Sequence, residues 1–304
     1  PADPAYRKLM AARQDLTRLL GQPWLPLALR PTIRPGDRDE RLNEIRRRLS
    51  LLGELAELPA TVTDPRDYDA ELESAVVRFQ ARHGLEADGL IGKDTLTALN
   101  LIPVERLRHI DATLERWRWL PESLGDTYVL VNIAGFELKM VENGEEVLRK
   151  RVIVGQPFRQ TPVFSDRIRY LVFNPTWTVP RTLMIQDQLP RILRDPDYLS
   201  RLNISVYRGW GTDRERVDPL EVNWPSLNRN NFPYQLVQEP GPQNALGQIK
   251  FMFPNQYDVY LHDTPGRGLF SRAERSFSSG CIRVEQPFDL AERLLASAPD
   301  WSRE

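Results

Sequence analysis

The apolar residues of this chain change their period once, near residue 125, and that change limits the folds open to it. Before it they recur at helical spacing; after it they alternate. Leu42, Ile45, Leu49 and Leu52 fall three, four and three apart, which puts them on one face of a helix ending near Gly53. Leu72, Ala75, Val76 and Phe79 predict a second helix within 68–83, stopped at Gly84. A shorter helix is expected over 93–100, and Leu107, Ile110, Leu114 and Trp117 make the stripe of another that follows Pro103. The N-terminal stretch holds one helix, 4–20, and then a proline-rich connector from Pro23 to Pro35.

Beyond residue 125 the segment 128–133 is a short apolar run, and Phe136, Leu138 and Met140 alternate with Glu137 and Lys139. That is the pattern of a strand with one wet face. Asn143-Gly144 then supplies a hairpin, because a type I′ turn needs positive φ at both central residues, and 147–154 is the partner strand. Further strands are expected at 168–173, 249–253 and 258–262. Helices followed by strands give an α+β multidomain chain. Its expected parts are a helical segment and linker over 1–36, a helical module over 37–101, a connecting helix over 102–124 and a β-rich domain over 125–304. Residues 181–240 break the β pattern with a helix-like segment, 183–193, and a long polar loop. A loop of that length inside a compact domain predicts an inserted cap or lid.

Composition excludes several functions. Lys plus Arg is 41 and Asp plus Glu 42, a net charge of −1, so no basic surface is left over to track phosphates and no nucleic-acid partner is expected. No apolar run approaches the ~20 residues that span a bilayer. The sequence opens at Pro1 rather than Met, which leaves room for a signal or membrane anchor upstream. Three His and one Cys allow neither a disulfide framework nor a Cys/His zinc cluster, and no metal or cofactor is called for.

The single cysteine has informative neighbours. Tyr260-Leu261-His262-Asp263-Thr264-Pro265 ends a strand, and nineteen residues beyond His262 stands Cys281, within Ser278-Ser279-Gly280-Cys281-Ile282-Arg283. A thiol attacks as thiolate, so a reactive cysteine needs a base or cation nearby, and imidazole is the natural proton acceptor. Gly280 lets the backbone bend so that N–H groups around Ser279, Gly280 and Cys281 can face an oxyanion. Arg283 could hold a substrate carboxylate or brace the loop. Against this, a lone cysteine is more often a small buried hydrophobe than a nucleophile. His83 and His109, each in or at the end of a helix, read as structural. The order His before Cys, at short separation, disfavours the papain-like and caspase arrangements.

These residues resemble the active-site signature of L,D-transpeptidases with a YkuD-like catalytic domain, most closely the YcbB-type branch of Gram-negative envelopes. The resemblance extends over Trp117-Arg118-Trp119-Leu120-Pro121, Pro157-Phe158-Arg159-Gln160-Thr161-Pro162-Val163, Asn174-Pro175-Thr176-Trp177-Thr178-Val179-Pro180 and Gly241-Pro242-Gln243-Asn244-Ala245-Leu246-Gly247, and so covers roughly residues 115–300. Upstream, Tyr68-Asp69, Phe79-Gln80, His83-Gly84-Leu85, Asp88-Gly89 and Ile91-Gly92 look like a peptidoglycan-binding helical module. Ser279 stands where many YkuD-like members have a second His, so the resemblance implies a Cys281–His262 dyad. The group orienting His262 would be a nearby backbone carbonyl, that of Asp263.

The resemblance further implies acyl transfer. Cys281 would take a tetrapeptide stem at diaminopimelate, release D-Ala and pass the acyl group to an amine, forming a 3→3 peptidoglycan cross-link. Peptidoglycan stems are then the partners, carbapenems the covalent inhibitors and the periplasm the location. A lone cysteine suits that oxidising compartment. Trp177, Asn244 and Tyr260 join Arg283 as expected substrate contacts. Two alternatives stay open: a hydrolase or carboxypeptidase on the same scaffold, and a wall-binding protein with an inert thiol.

Overall fold

The computed structural model describes residues 4–56, 64–121, 123–298 and 301. The chain forms two compact units, Pro1–Tyr128 and Val129–Glu304. The first is helical: α1 (Pro4–Thr17), α2 (Arg41–Leu51), α3 (Ala70–Arg82), α4 (Lys93–Asn100) and α5 (Pro103–Arg118). The stripe read from the sequence is its core, for Leu42, Ile45, Leu49, Leu72, Val76 and Phe79 are all inaccessible to solvent. Helix α3 starts where the Asp69 carboxylate accepts the Leu72 N–H at 2.8 Å, a side-chain cap, and stops at Gly84 with φ +67°. Arg46 is buried and holds α2 to that cap by an ion pair with Asp69 at 2.6 Å. His83 is indeed structural. Its ring stacks on Phe79 at 3.9 Å and bonds the Phe79 carbonyl, and Arg106 donates to its other nitrogen at 2.8 Å, a partner the sequence did not reveal.

The second unit is built on an eight-stranded sheet. Its strands are β1 (Thr127–Asn132), β2 (Glu137–Glu142), β3 (Glu145–Gly155), β4 (Tyr170–Phe173), β9 (Ile249–Met252), β10 (Leu261–His262), β11 (Ser276–Ser278) and β12 (Ile282–Val284). The order is β1-β2-β3-β12-β10-β9-β4, with β11 pairing the end of β3. Asn143 and Gly144 sit at φ +51° and +84°, as the predicted I′ hairpin requires. Leu138, Val152, Phe251, Leu261, Ile282 and Val284 form the core with Leu290 of the last helix, α9 (Pro287–Leu295).

Residues 181–240 differ from the long loop expected. Strands β6 (Ile204–Arg208), β7 (Glu215–Val217) and β8 (Tyr234–Gln238) join β5 (Trp177–Thr178) in a second sheet, ordered β5-β8-β6-β7. It has its own core of Val179, Met184, Ile192, Ile204, Val206 and Leu236. The polar residues that suggested a loop lie at the turns between short strands. The expected helix 183–193 is real but interrupted: α6 (Arg181–Leu183) runs into a π turn, Met184–Gln188, before α7 (Leu189–Arg194), and a short α8 (Tyr198–Arg201) follows. The strand expected over 258–262 is shortened to Leu261–His262. Asn255 explains the shortening, since its amide donates to the carbonyls of Phe253 and Val259 and folds the approach into a loop.

Candidate active site

Register decides what the core sheet presents to its cleft. Strands β10 and β12 are parallel, with Leu261 opposite Ile282 and His262 opposite Arg283. On the other side β9 runs antiparallel to β10, with Phe251 opposite Leu261 and Lys250 opposite His262. Alternate residues point to opposite faces. Phe251, Leu261 and Ile282 therefore pack into the core, while Lys250, His262 and Arg283 form a row on the other face. Tyr260 and Cys281 occupy the next row, where the Ile282 N–H donates to the Tyr260 carbonyl at 3.0 Å. All five line a cavity of about 1380 Å³.

The chain enters β12 through a pinned turn. Gly280 has φ +120°, a conformation that side chains resist. The Ser278 hydroxyl donates to the Cys281 carbonyl at 2.5 Å and accepts the Gly280 N–H at 3.1 Å. Thr161 donates its hydroxyl to the Gly280 carbonyl at 2.8 Å. Next to the thiol, Ser279 accepts a bond from Arg159 at 3.0 Å, and the same guanidinium pairs with Asp187 of the π turn at 2.6 Å.

His262 is 4% exposed. Its Nδ1 lies 2.5 Å from the Asp263 carbonyl oxygen, which can only accept. Nδ1 therefore carries the proton and Nε2 is left with a free lone pair, able to accept one. Burial, with Arg283 next and Lys250 also against protonation, brings its pKa down to about 3, so the ring is neutral at physiological pH. Burial also raises the Cys281 pKa, opposed by hydrogen bonds from Tyr260 and by the charges of Lys250 and Arg283. The resting pair is thus a neutral thiol and a neutral imidazole. The hydrogen bond that the thiol makes here runs to the Asp258 carbonyl at 3.8 Å, not directly to His262.

Residues 126–299, more than half of the chain, match the family described as "L,D-transpeptidase catalytic domain", YkuD. The chain belongs to the YkuD L,D-transpeptidase family. Residues 38–99 match a "Putative peptidoglycan binding domain". A Haemophilus influenzae protein named "Putative L,D-transpeptidase" is 37% identical over 219 residues, which cover 70% of this chain and 43% of that one. The chain thus matches less than half the length of that relative. The Mycobacterium tuberculosis N-acetylmuramoyl-L-alanine amidase CwlM is 39% identical over 72 residues, 22% of this chain and 18% of its own. A solved L,D-transpeptidase from Stackebrandtia nassauensis is 16% identical at a TM-score of 0.29, covering 89% of this chain and 94% of its own. Membership rests on the sequence matches.

Within this YkuD domain the remaining expected residues separate. Trp177, on β5, lines the cavity beside Tyr260. Asn244 does not reach the cleft. It is 1% exposed, its amide donates to the carbonyls of Pro175, Gln238 and Glu239, and its oxygen accepts the Leu246 N–H. With its bonding capacity consumed, it staples the loop before β9 instead of contacting substrate. The Gly280 N–H, expected to face an oxyanion, is turned to Ser278. Lys250 and Arg159 were not expected. A lysine alternating with Ile249 and Phe251 looks like a strand's wet face, and only the pairing of β9 with β10 sets it beside the imidazole.

Proposed function

We propose that this chain is a cysteine L,D-transpeptidase of the envelope that builds 3→3 cross-links, with Cys281 as nucleophile and His262 as base. The observation that carries the proposal is the shared cleft face of Tyr260, His262, Cys281 and Arg283, set by the register of β10 and β12. As the donor stem enters, Nε2 of His262 takes the thiol proton and Sγ attacks the carbonyl of diaminopimelate. The C–N bond to D-Ala breaks, the amine leaves with the proton from His262, and a thioester remains. The acceptor amine then attacks, returning its proton through His262 and freeing the sulfur. The Cys281 N–H and the Tyr260 hydroxyl serve the oxyanion. Burial holds the Tyr260 pKa well above the ordinary phenol value, so that hydroxyl stays a donor. Arg283 takes a stem carboxylate. Its Nε is buried without a hydrogen-bond partner.

The reading extends to the rest of the chain. The module matched over 38–99 would hold the enzyme on peptidoglycan, in the periplasm, as in the YcbB-type branch. The insertion supplies one wall of the cleft through Leu183, Asp187 and Tyr198, and we read it as a cap over bound donor. Incubation with a disaccharide tetrapeptide tests the central claim. A cross-linked dimer that disappears in Cys281→Ala supports it. A shortened stem without dimer identifies a hydrolase, and no product with an unreactive thiol identifies a binding protein. A carbapenem adduct on Cys281, read by intact mass, is the expected companion result. Slower proteolysis within 181–240 on acylation supports the cap, and an unchanged rate rejects it.

A further inference from the structure

Lys250, His262 and Arg283 stand in one row across β9, β10 and β12, so a cation flanks the imidazole on each side. Strands lie about 4.8 Å apart, which puts the two cationic residues about 10 Å from each other at the backbone, with His262 midway. Both line the cavity. Neither is neutralised there by a carboxylate ion pair among the described residues. The Lys250 ammonium sits over the Tyr260 ring at 3.7 Å, and the acidic groups that act on it are Cys281 and Asp258. Cys281 is the acidic group that acts on Arg283, whose Nε is buried and without a partner. Half-buried cations that line a cleft without a carboxylate ion pair, Lys250 having only the Tyr260 ring and the more distant charge of Asp258, are under-satisfied, and a cleft that keeps two of them is suited to anions.

The row also has a symmetry that limits the ligand. The reacting carbonyl must come to Cys281 and His262, so a ligand that satisfies both cations carries one carboxylate on each side of that carbonyl. We infer that Lys250 and Arg283 form a two-point carboxylate clamp, with Lys250 the specificity-determining residue that selects donors keeping both acids free. This rests on the donor reading above. A diaminopimelate–D-Ala unit has that form, with the terminal carboxylate on one side of the scissile carbonyl and the side-chain carboxylate on the other. The clamp therefore distinguishes the free acid from a stem whose diaminopimelate is amidated, a difference of one charge with almost no change in shape.

Calorimetry on the full chain carrying Cys281→Ala tests this without turnover. Three ligands are compared: the disaccharide tetrapeptide, the same molecule amidated on the diaminopimelate side chain, and the same molecule ending in D-alaninamide. Each amidation is expected to weaken binding about tenfold or more, the size of a charged hydrogen bond. Adding Lys250→Met removes the penalty at one position and keeps it at the other, whereas Lys250→Arg keeps both. Penalties that persist unchanged in Lys250→Met, or that are absent with Lys250 in place, overturn the clamp. A role exerted only through sulfur would shift the pH midpoint of Cys281 alkylation in Lys250→Met while leaving both penalties, and this too overturns it. Intact penalties in a protein whose Cys281 form makes no dimer would sink the transferase reading alone.

Discussion

The carbonyl oxygen of Asp263 accepts the Nδ1 proton of His262, the side chain one residue before it in the chain. No third side chain is needed to fix the tautomer, because a carbonyl cannot donate. The free lone pair is thereby left on Nε2, and the bond survives any substitution that leaves the backbone in place. Asp263→Asn should accordingly preserve the tautomer, whereas displacing the backbone should not.

A neutral pair at rest predicts an alkaline thiol. Because burial raises the Cys281 pKa, iodoacetamide alkylation followed against pH should reach its midpoint above the ordinary ~8.5. A midpoint below 7 would mean a preformed thiolate–imidazolium pair and would contradict the burial of both groups.

Two histidines, His262 buried and His83 half-buried, make the fold acid-sensitive. His83 is lowered to about 4 and His262 to about 3, chiefly by burial. Each binds a proton in the unfolded chain below its ordinary ~6.5 but not in the folded one, so stability is complete above that pH and declines as pH falls towards the folded values. The slope is up to about 1.4 kcal/mol per pH unit for each histidine. Urea unfolding of the full chain between pH 4 and 6 should show it, and His83→Gln should remove the share belonging to the helical module.

Gly247 should tolerate no side chain. It has φ +61°, and a Cβ there would stand 2.4 Å from Cγ of Asp263. The Asp263 carboxylate, which accepts the Gln248 N–H at 3.0 Å, would have to move and take the carbonyl that orients His262 with it. Gly247→Ala is expected to cost about 1–3 kcal/mol of stability. In cross-linking assays it should lower kcat more than the loss of folded protein explains.

Ser278 should matter without touching substrate. Ser278→Ala leaves the buried Gly280 N–H and the Cys281 carbonyl unpaired, at about 1–3 kcal/mol each. Dimer formation should fall through kcat, with KM for the donor nearly kept, and Ser278→Thr should recover much of it.

Arg159 links the insertion to the turn that precedes Cys281. Its pair with Asp187 is partly exposed, 20% and 31% by side chain, so Arg159→Met should cost only about 1 kcal/mol in thermal unfolding. Carbapenem acylation, by contrast, should slow at least several-fold, because Ser279 loses its tether. An unchanged acylation rate would reduce Arg159 to a surface contact.

Helices α2, α3 and α5 of the first unit were legible because each has an amphipathic stripe, and α3 and α4 end where the sequence placed the stops. Strands β1 to β3 were legible from alternation and Asn143-Gly144. Strands β6 to β8 were not, since each is short and the turns between them carry most of the polar residues. That Cys281 and His262 belong to one cleft was legible from their local chemistry, as was the Asp263 carbonyl as the partner of the imidazole. What escaped was everything set by register between distant strands: Lys250 beside His262, the inward turn of the Gly280 N–H, and the commitment of Asn244 to its own loop.

The parallel pairing of β10 with β12 has a consequence for how this fold loses its cleft. A slip of one residue would bury Cys281 and Arg283 among the core side chains and expel Ile282, so no shifted but compact form keeps a usable cleft. Damage should then be all-or-none for each molecule, with survivors working at full speed. Counting acylated thiols in an ageing preparation is therefore a census of intact sheets, and specific activity per labelled sulfur should stay constant as the total falls.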